Sequence, residues 1–188
     1  MTRMLIVGPP GAGKGTQSKK ISEEHGIIAI STGDIFRENI KGQTELGKEA
    51  QKYVDAGNLV PDSVTNRMIE DRLTWDDAKD GFLLDGYPRN RTQVAAFDEI
   101  TSRLDVELDV VLELTADREE LISRLVRRAE IDGRADDTED VIRHRLEVFE
   151  QETAPMIEEY RQRGVLKQVD GLGAVEEVGA RIAEALKA

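Results

Sequence analysis

The stretch Gly8-Pro9-Pro10-Gly11-Ala12-Gly13-Lys14-Gly15-Thr16 constrains this chain more than any other feature. It follows a short apolar run, Met4-Leu5-Ile6-Val7, and precedes a helical pattern from Gln17 to His25. Strand, glycine-rich loop and helix in that order form the setting in which a phosphate-binding P-loop match is credible. Gly8, Gly11, Gly13 and Gly15 allow the backbone to turn its N–H groups inward around a phosphate. Lys14 adds a positive charge, and the helix N-terminus adds its dipole. A chain that opens in this way is committed to a parallel sheet whose strand ends carry the site. The residue after the lysine is Gly15, where the general motif places a metal-binding hydroxyl. Thr16 comes one place later, so a direct hydroxyl–metal bond is not expected. Phosphates and water would hold the metal.

Four further strands are expected: Ile27–Ile30, Gly81–Asp85, Leu108–Leu114 and Val165–Val169. Helical patterns separate them, as in βαβ units. The last helix shows Val175, Val178, Ile182 and Leu186 at helical spacing. Two segments fit this alternation poorly. One runs from about Ser31 to Val60 and is polar and strandless. The other, from about Arg127 to Asp137, is charged and contains Gly133. Taken on their residues alone, they are either lids over the sheet edge or plain solvated connections.

A chain of 188 residues suits one domain, and 39% hydrophobic content can build its core. The net charge of −12 argues against nonspecific binding to nucleic acid or an anionic membrane. Positive charge for an anionic ligand must then be concentrated locally. With no cysteine, disulfides, Cys-ligated zinc and thiol catalysis are excluded. The first apolar run is four residues long, too short for a secretory signal, and no run approaches the roughly 18–20 residues of a membrane span. A cytoplasmic location is the expectation.

Several charged residues stand where they can act on phosphate. Asp85 ends an apolar strand and resembles a Walker B acid beside Mg²⁺, although an acid there can also merely cap a turn. Arg89 follows in Gly86-Tyr87-Pro88-Arg89, at the sheet edge shared with the P-loop, where a guanidinium can clamp phosphate bidentately. Arg124 and Arg128 are four apart on one helix face, so an anion between them would relieve their repulsion. Arg134 follows the glycine turn, and Arg145 lies on the next helix. Exposed positions are expected for Arg128 and Arg134 in an open molecule, so that their removal would cost little stability. His25 and His144 are assigned no role.

Together these pieces resemble the adenylate kinase family, nearly end to end. The likeness rests on the P-loop with its Gly15, on Ser31-Thr32-Gly33-Asp34 with Arg37, and on Gly57-Asn58-Leu59-Val60-Pro61-Asp62. It continues through Asp85-Gly86-Tyr87-Pro88-Arg89 with Gln93 and Gly133-Arg134-Ala135-Asp136-Asp137 with Arg145. The resemblance implies an α/β P-loop three-layer fold, with a central five-stranded parallel sheet flanked by helices, a helical AMP-binding insertion over 31–60 and a short lid over 127–137. The core is then 1–30, 61–126 and 138–188.

The implied reaction is the reversible, Mg²⁺-dependent conversion of ATP and AMP into two ADP. ATP would lie on Gly11, Ala12, Gly13, Lys14, Gly15 and Thr16, with Arg124, Arg128 and the backbone of Gly173. The family often has lysine at that last position. AMP would be held by Thr32, Arg37, Leu59, Val60, Pro61, Gly86, Tyr87, Pro88, Arg89 and Gln93, with Arg134 and Arg145 reaching the transferring phosphoryl. Lys14, Arg89, Arg128, Arg134 and Arg145 would neutralise the transition state. Asp85 would act on Mg²⁺ through its water, with no direct protein ligand to the metal. The short lid is similar to that of members that are typically monomeric. Two alternatives remain: a UMP/CMP kinase of the same family, which usually has alanine and asparagine in place of Thr32 and Gln93, and a P-loop switch without transferase activity. The Gln93 amide is expected to offer adenine both a donor and an acceptor.

Overall fold

Five short apolar segments can hide their backbone only by pairing, and here they pair into one sheet. The computed structural model describes residues 2–134 and 137–187. The strands are β1 (Thr2–Val7), β2 (Ile28–Ser31), β3 (Gly81–Asp85), β4 (Val110–Thr115) and β5 (Leu166–Asp170). Their order is β2-β3-β1-β4-β5, and every pairing is parallel. The expected strands are all present, Gly81–Asp85 with the expected bounds and the others with ends shifted by at most two residues. Ile6 lies opposite Asp85, Val7 opposite Glu113 and Thr115 opposite Asp170, so the carboxyl ends share one edge.

Alternation along β1 divides the core in two. Leu5 and Val7 face a cluster with Phe82, Leu84, Tyr87, Phe97, Met156 and Tyr160. Met4 and Ile6 face another with Ile21, Leu83, Leu112, Leu125, Leu146 and Ile182. A central strand covered on both faces reads as continuous apolar sequence, as Met4–Val7 does. Of the periodic positions in the last helix, α9 (Val175–Lys187), Val178 and Ile182 enter the core. Val175 stays exposed on the open first turn.

The span after β2 is helical. It holds α2 (Thr32–Lys41) and α3 (Glu45–Asp55), and α4 (Asp62–Leu73) follows. Ser31 caps α2 by accepting from the Asp34 amide, and Thr44 caps α3 by accepting from the Gly47 amide. These helices have their own small core of Phe36, Ala50, Val60 and Val64. Helix α2 meets α3 at Gly47, where a Cβ would stand 2.0 Å from the Asn39 carbonyl oxygen.

The second irregular span differs from a plain connection. Helix α6 (Arg118–Asp132) continues through its first half and stops at Gly133, whose φ of 61° closes the helix. Arginine and glutamate are good helix formers, so the charge that suggested a loop is a solvated helical face. Helix α7 (Glu139–Val148) runs through a π-helical turn, Phe149–Thr153, into α8 (Ala154–Gln162). Helices α1 (Lys14–His25) and α5 (Arg91–Arg103) complete the layers.

Candidate active site

The glycine-rich loop leaves β1 at Gly8. Its φ is 147°, and a Cβ there would stand 2.4 Å from the Leu114 carbonyl oxygen, so no side chain fits. Gly13, at φ 94°, is the residue before α1, and Lys14 begins that helix. Gly15 and Thr16 are exposed on its first turn, where N–H groups lack helical partners. The Lys14 ammonium folds over the loop and donates to the carbonyls of Gly8 (2.9 Å) and Pro9 (3.0 Å). Burial pushes its pKa down to about 8; Asp85 opposes this, while Arg89, Arg145 and Arg128 push the same way as burial. Burial raises the Asp85 carboxyl above its ordinary value, against the pull of Lys14 and Arg89. Asp85 faces the start of α1, since a Cβ on Gly15 would lie 3.9 Å from its Oδ2.

Beside the loop opens a cleft. Lys14, Thr32, Leu59, Arg89, Gln93 and Arg145 are among its walls. Its floor is the turn after β3. The Thr32 hydroxyl donates to the Gly86 carbonyl at 2.9 Å, and Arg89 Nε donates to the same oxygen at 2.8 Å. A Cβ on Gly86 would strike the Thr32 hydroxyl at 2.6 Å. Gln93 is already engaged at both ends: its Oε1 accepts from the Arg89 amide (2.7 Å) and its Nε2 donates to Asp62 (2.8 Å). One N–H and one lone pair therefore remain for a ligand, fewer than a free amide offers. Asn90 donates to the same Asp62 oxygen at 3.0 Å. Arg37 pairs with Asp34 at 2.5 Å, and Gly33, Val60, Gly86 and Pro88 also line the cleft.

Two expected contacts stand behind the wall. The Tyr87 ring is fully buried, edge-on to Phe97, and its hydroxyl donates to Asn66 at 2.8 Å. Tyr87 thus offers the cleft backbone only. Pro61 precedes α4 and does not line the cleft. The far wall reaches α7: a Cβ on Gly57 would stand 2.7 Å from Arg145 Cγ, and Asn58 Oδ1 pairs with His144 Nε2 at 2.6 Å.

The arginines gather on a residue that the arginine pattern did not single out. Asp137 is buried and takes a bidentate pair from Arg128, at 2.6 and 2.7 Å. Arg145 donates to it at 2.7 Å, and Arg134 Nε approaches it at 3.6 Å. Arg128 and Arg134 are therefore not free-standing exposed groups; their side chains are 29% and 16% exposed. The sequence expectation of a small stability cost on their removal now has a buried carboxylate to reckon with, and stripping its partners should destabilise the protein. Arg124 and Arg128 do not share a carboxylate. Each has its own carboxylate, since Arg124 pairs with Glu120 at 2.7 Å. Ala135 and Asp136 of the quoted motif lie outside the described residues.

Arg124 also donates to the Gly171 carbonyl at 3.1 Å, tying α6 to the loop after β5. That loop lies against the phosphate loop, because a Cβ on Gly171 would be 2.9 Å from the Ala12 carbonyl oxygen. Gly173 follows with φ 106°. Arg181 of α9 donates to the carbonyls of Asp170 (2.6 Å) and Leu172. Asp62 and Asp137 stood inside recognised motifs; an acid beside several arginines was the signal that could have marked Asp137. Nothing local marks Arg181, which reaches its loop from the second turn of a helix. Among the described residues, no group of three or more acidic or histidine side chains is placed to hold a metal ion. None of their helices is long and apolar enough to cross a membrane.

Comparison with known proteins accords with this geometry. A family model described as adenylate kinase matches residues 6–165. An adenylate kinase of Kocuria rhizophila is 63% identical over 187 residues, covering 100% of both chains. One from Pseudarthrobacter chlorophenolicus is 58% identical over 188 residues, covering 100% of this chain and 98% of the relative. One from Thermobifida fusca is 55% identical over 185 residues, covering 98% of each.

Proposed function

The chain belongs to the adenylate kinase family, and we propose how its residues divide that family's work. The protein is a phosphotransferase that interconverts ATP and AMP with two ADP. One observation carries the assignment of residues. Lys14, Arg89 and Arg145 line the cleft where the phosphate loop meets it, and Arg128 shares Asp137 with Arg145. Cations brought together at such cost need an anion, and a transferring phosphoryl supplies one.

In this reading ATP lays its phosphates along Gly11 to Thr16, and its base meets the backbone near Gly173. AMP occupies the cleft, with its base against Thr32 and Gln93 and its phosphate toward Arg37, Arg89 and Arg145. A phosphate oxygen of AMP attacks the γ-phosphorus of ATP while the bond to the β–γ bridging oxygen breaks, giving two ADP. Bound phosphate replaces the Gly8 and Pro9 carbonyls as the partner of Lys14. Arg134 and Arg145 carry charge on the transferring group from the side of α7. The residues fit a magnesium ion that arrives with ATP. Asp85 faces the start of α1 across open space at Gly15, so it can orient water on an ion held by phosphate. That ion supplies charge neutralisation to the phosphates. We further propose that the protein works as a cytoplasmic monomer, in keeping with its short lid and acidic surface.

The test is a coupled assay of ADP formation from ATP with AMP, CMP, UMP or GMP. A site built to hydrogen-bond one base leaves polar groups unpaired with another. AMP should therefore exceed CMP and UMP by at least about tenfold in kcat/KM. Equal use of AMP and CMP would return the chain to the UMP/CMP kinases, and no turnover with any monophosphate would make it a switch.

A further inference from the structure

We propose that Arg181, on α9, is a positioning residue that selects the base of the phosphate donor. Its guanidinium lies under the loop after β5. It donates to the Asp170 carbonyl at 2.6 Å and to the Leu172 carbonyl, and it pairs with the Asp170 carboxylate at 3.4 Å. The intervening Gly171 carbonyl takes a donor from Arg124 at 3.1 Å. Three successive carbonyls are thus committed to guanidinium groups. Among the described residues no donor reaches the next one, that of Gly173.

Gly173 sits close against side chains of the same helix. With φ at 106°, a Cβ there would meet Glu177 Oε2 at 2.5 Å and Arg181 Nη2 at 3.1 Å. Glu177 in turn accepts from the Ala174 amide at 2.9 Å, fixing the start of α9. The loop therefore presents one open acceptor in a fixed register. An exocyclic amino group, as on adenine, can donate to it, whereas the carbonyl oxygen that guanine carries at that position repels it. The inference rests on the reading that the Gly173 backbone meets the donor base, and it adds the residue that fixes which carbonyl does so.

Steady-state kinetics with ATP and with GTP as donor, on wild type, Arg181→Ala and Arg181→Lys, test this. In the Ala variant KM for ATP should rise about fivefold or more and the ATP-over-GTP ratio of kcat/KM should fall at least about threefold. KM for AMP should stay within about twofold, since the acceptor cleft is untouched. The lysine variant, which keeps the charge and part of the reach, should recover some of the preference. In the Ala variant, an unchanged KM for ATP, an equal loss with both donors, or a matching rise in KM for AMP would overturn the role of Arg181. A wild type that does not distinguish ATP from GTP would instead overturn the reading of Gly173 as the base contact, and the proposal with it.

Discussion

On the acceptor side of the cleft, Thr32, Gly86, Arg89 and Gln93 are joined mainly through backbone dipoles, and Gln93 is tied on to Asp62. On the donor side, reaching the acceptor cleft through Arg145, three arginines converge on one buried carboxylate, Asp137. On the acceptor wall Thr32, Arg89 and Gln93 each have a protein partner, and the helices behind it have their own core. The donor side cannot assemble cations without a counter-charge, so the protein supplies one of its own. A pocket that reads a base can be finished in advance. A pocket that stabilises moving charge needs a counter-charge of its own until the substrate arrives.

The sharpest challenge to this contrast falls on Lys14, where the two sides meet. Lys14→Met should lower kcat by roughly 10²–10³. The melting temperature of the nucleotide-free protein should hold or rise, because the variant removes a charge that burial disfavours. In the wild type, kcat/KM for ATP should fall above about pH 8, where the free enzyme loses the Lys14 proton. The sign follows from a depressed pKa: the ammonium exists below that value and is lost above it. A variant that melts far earlier yet turns over normally would make Lys14 a structural residue.

Next in size is Asp137→Ala. Removing a buried partner of several cations should cost about 2–3 kcal/mol, below the full value for a dry ion pair because the arginines are partly solvated. Urea denaturation checks this, and added ATP should restore more stability to the variant than to wild type. Unchanged stability would mean that the arginines do not need their carboxylate, and the contrast would fail.

The smallest effect belongs to the acceptor wall. Thr32→Ala with Gln93→Asn should narrow the preference for AMP over CMP by about tenfold, mainly by harming AMP, and should lower the melting temperature because both side chains are buried and hydrogen-bonded. Competition kinetics with paired monophosphates would show it. A loss that fell on ATP instead would assign the cleft to the other nucleotide.

Much of this was legible in the chain. Alternating apolar segments gave the strands, since burial on both faces leaves continuous runs such as Met4–Val7. The glycine-rich loop was legible because φ 94° at Gly13 leaves little choice of residue. What stayed hidden depends on pairing across distance. A run such as Arg127–Asp132 carries no sign of whether water or a carboxylate satisfies it, and only the return of the chain at Asp137 decides. Gln93 was read as free to bind because its partner Asp62 lies on another helix, 31 residues away. Tyr87 follows residues that line the cleft, but the turn at Gly86, with φ 86°, breaks the strand alternation and sends its ring into the core beside Phe82 and Leu84.

Gly57 illustrates a different kind of dependence. It contributes no atom to chemistry, yet a methyl group there would press on Arg145 Cγ and Val141 and lift the acceptor arm from α7. A genetic screen would score that position as it scores the catalytic residues, and inspection of the ligand contacts would not explain why. Some of the information that makes this enzyme work is thus stored as empty space, which natural variation can only spoil by filling.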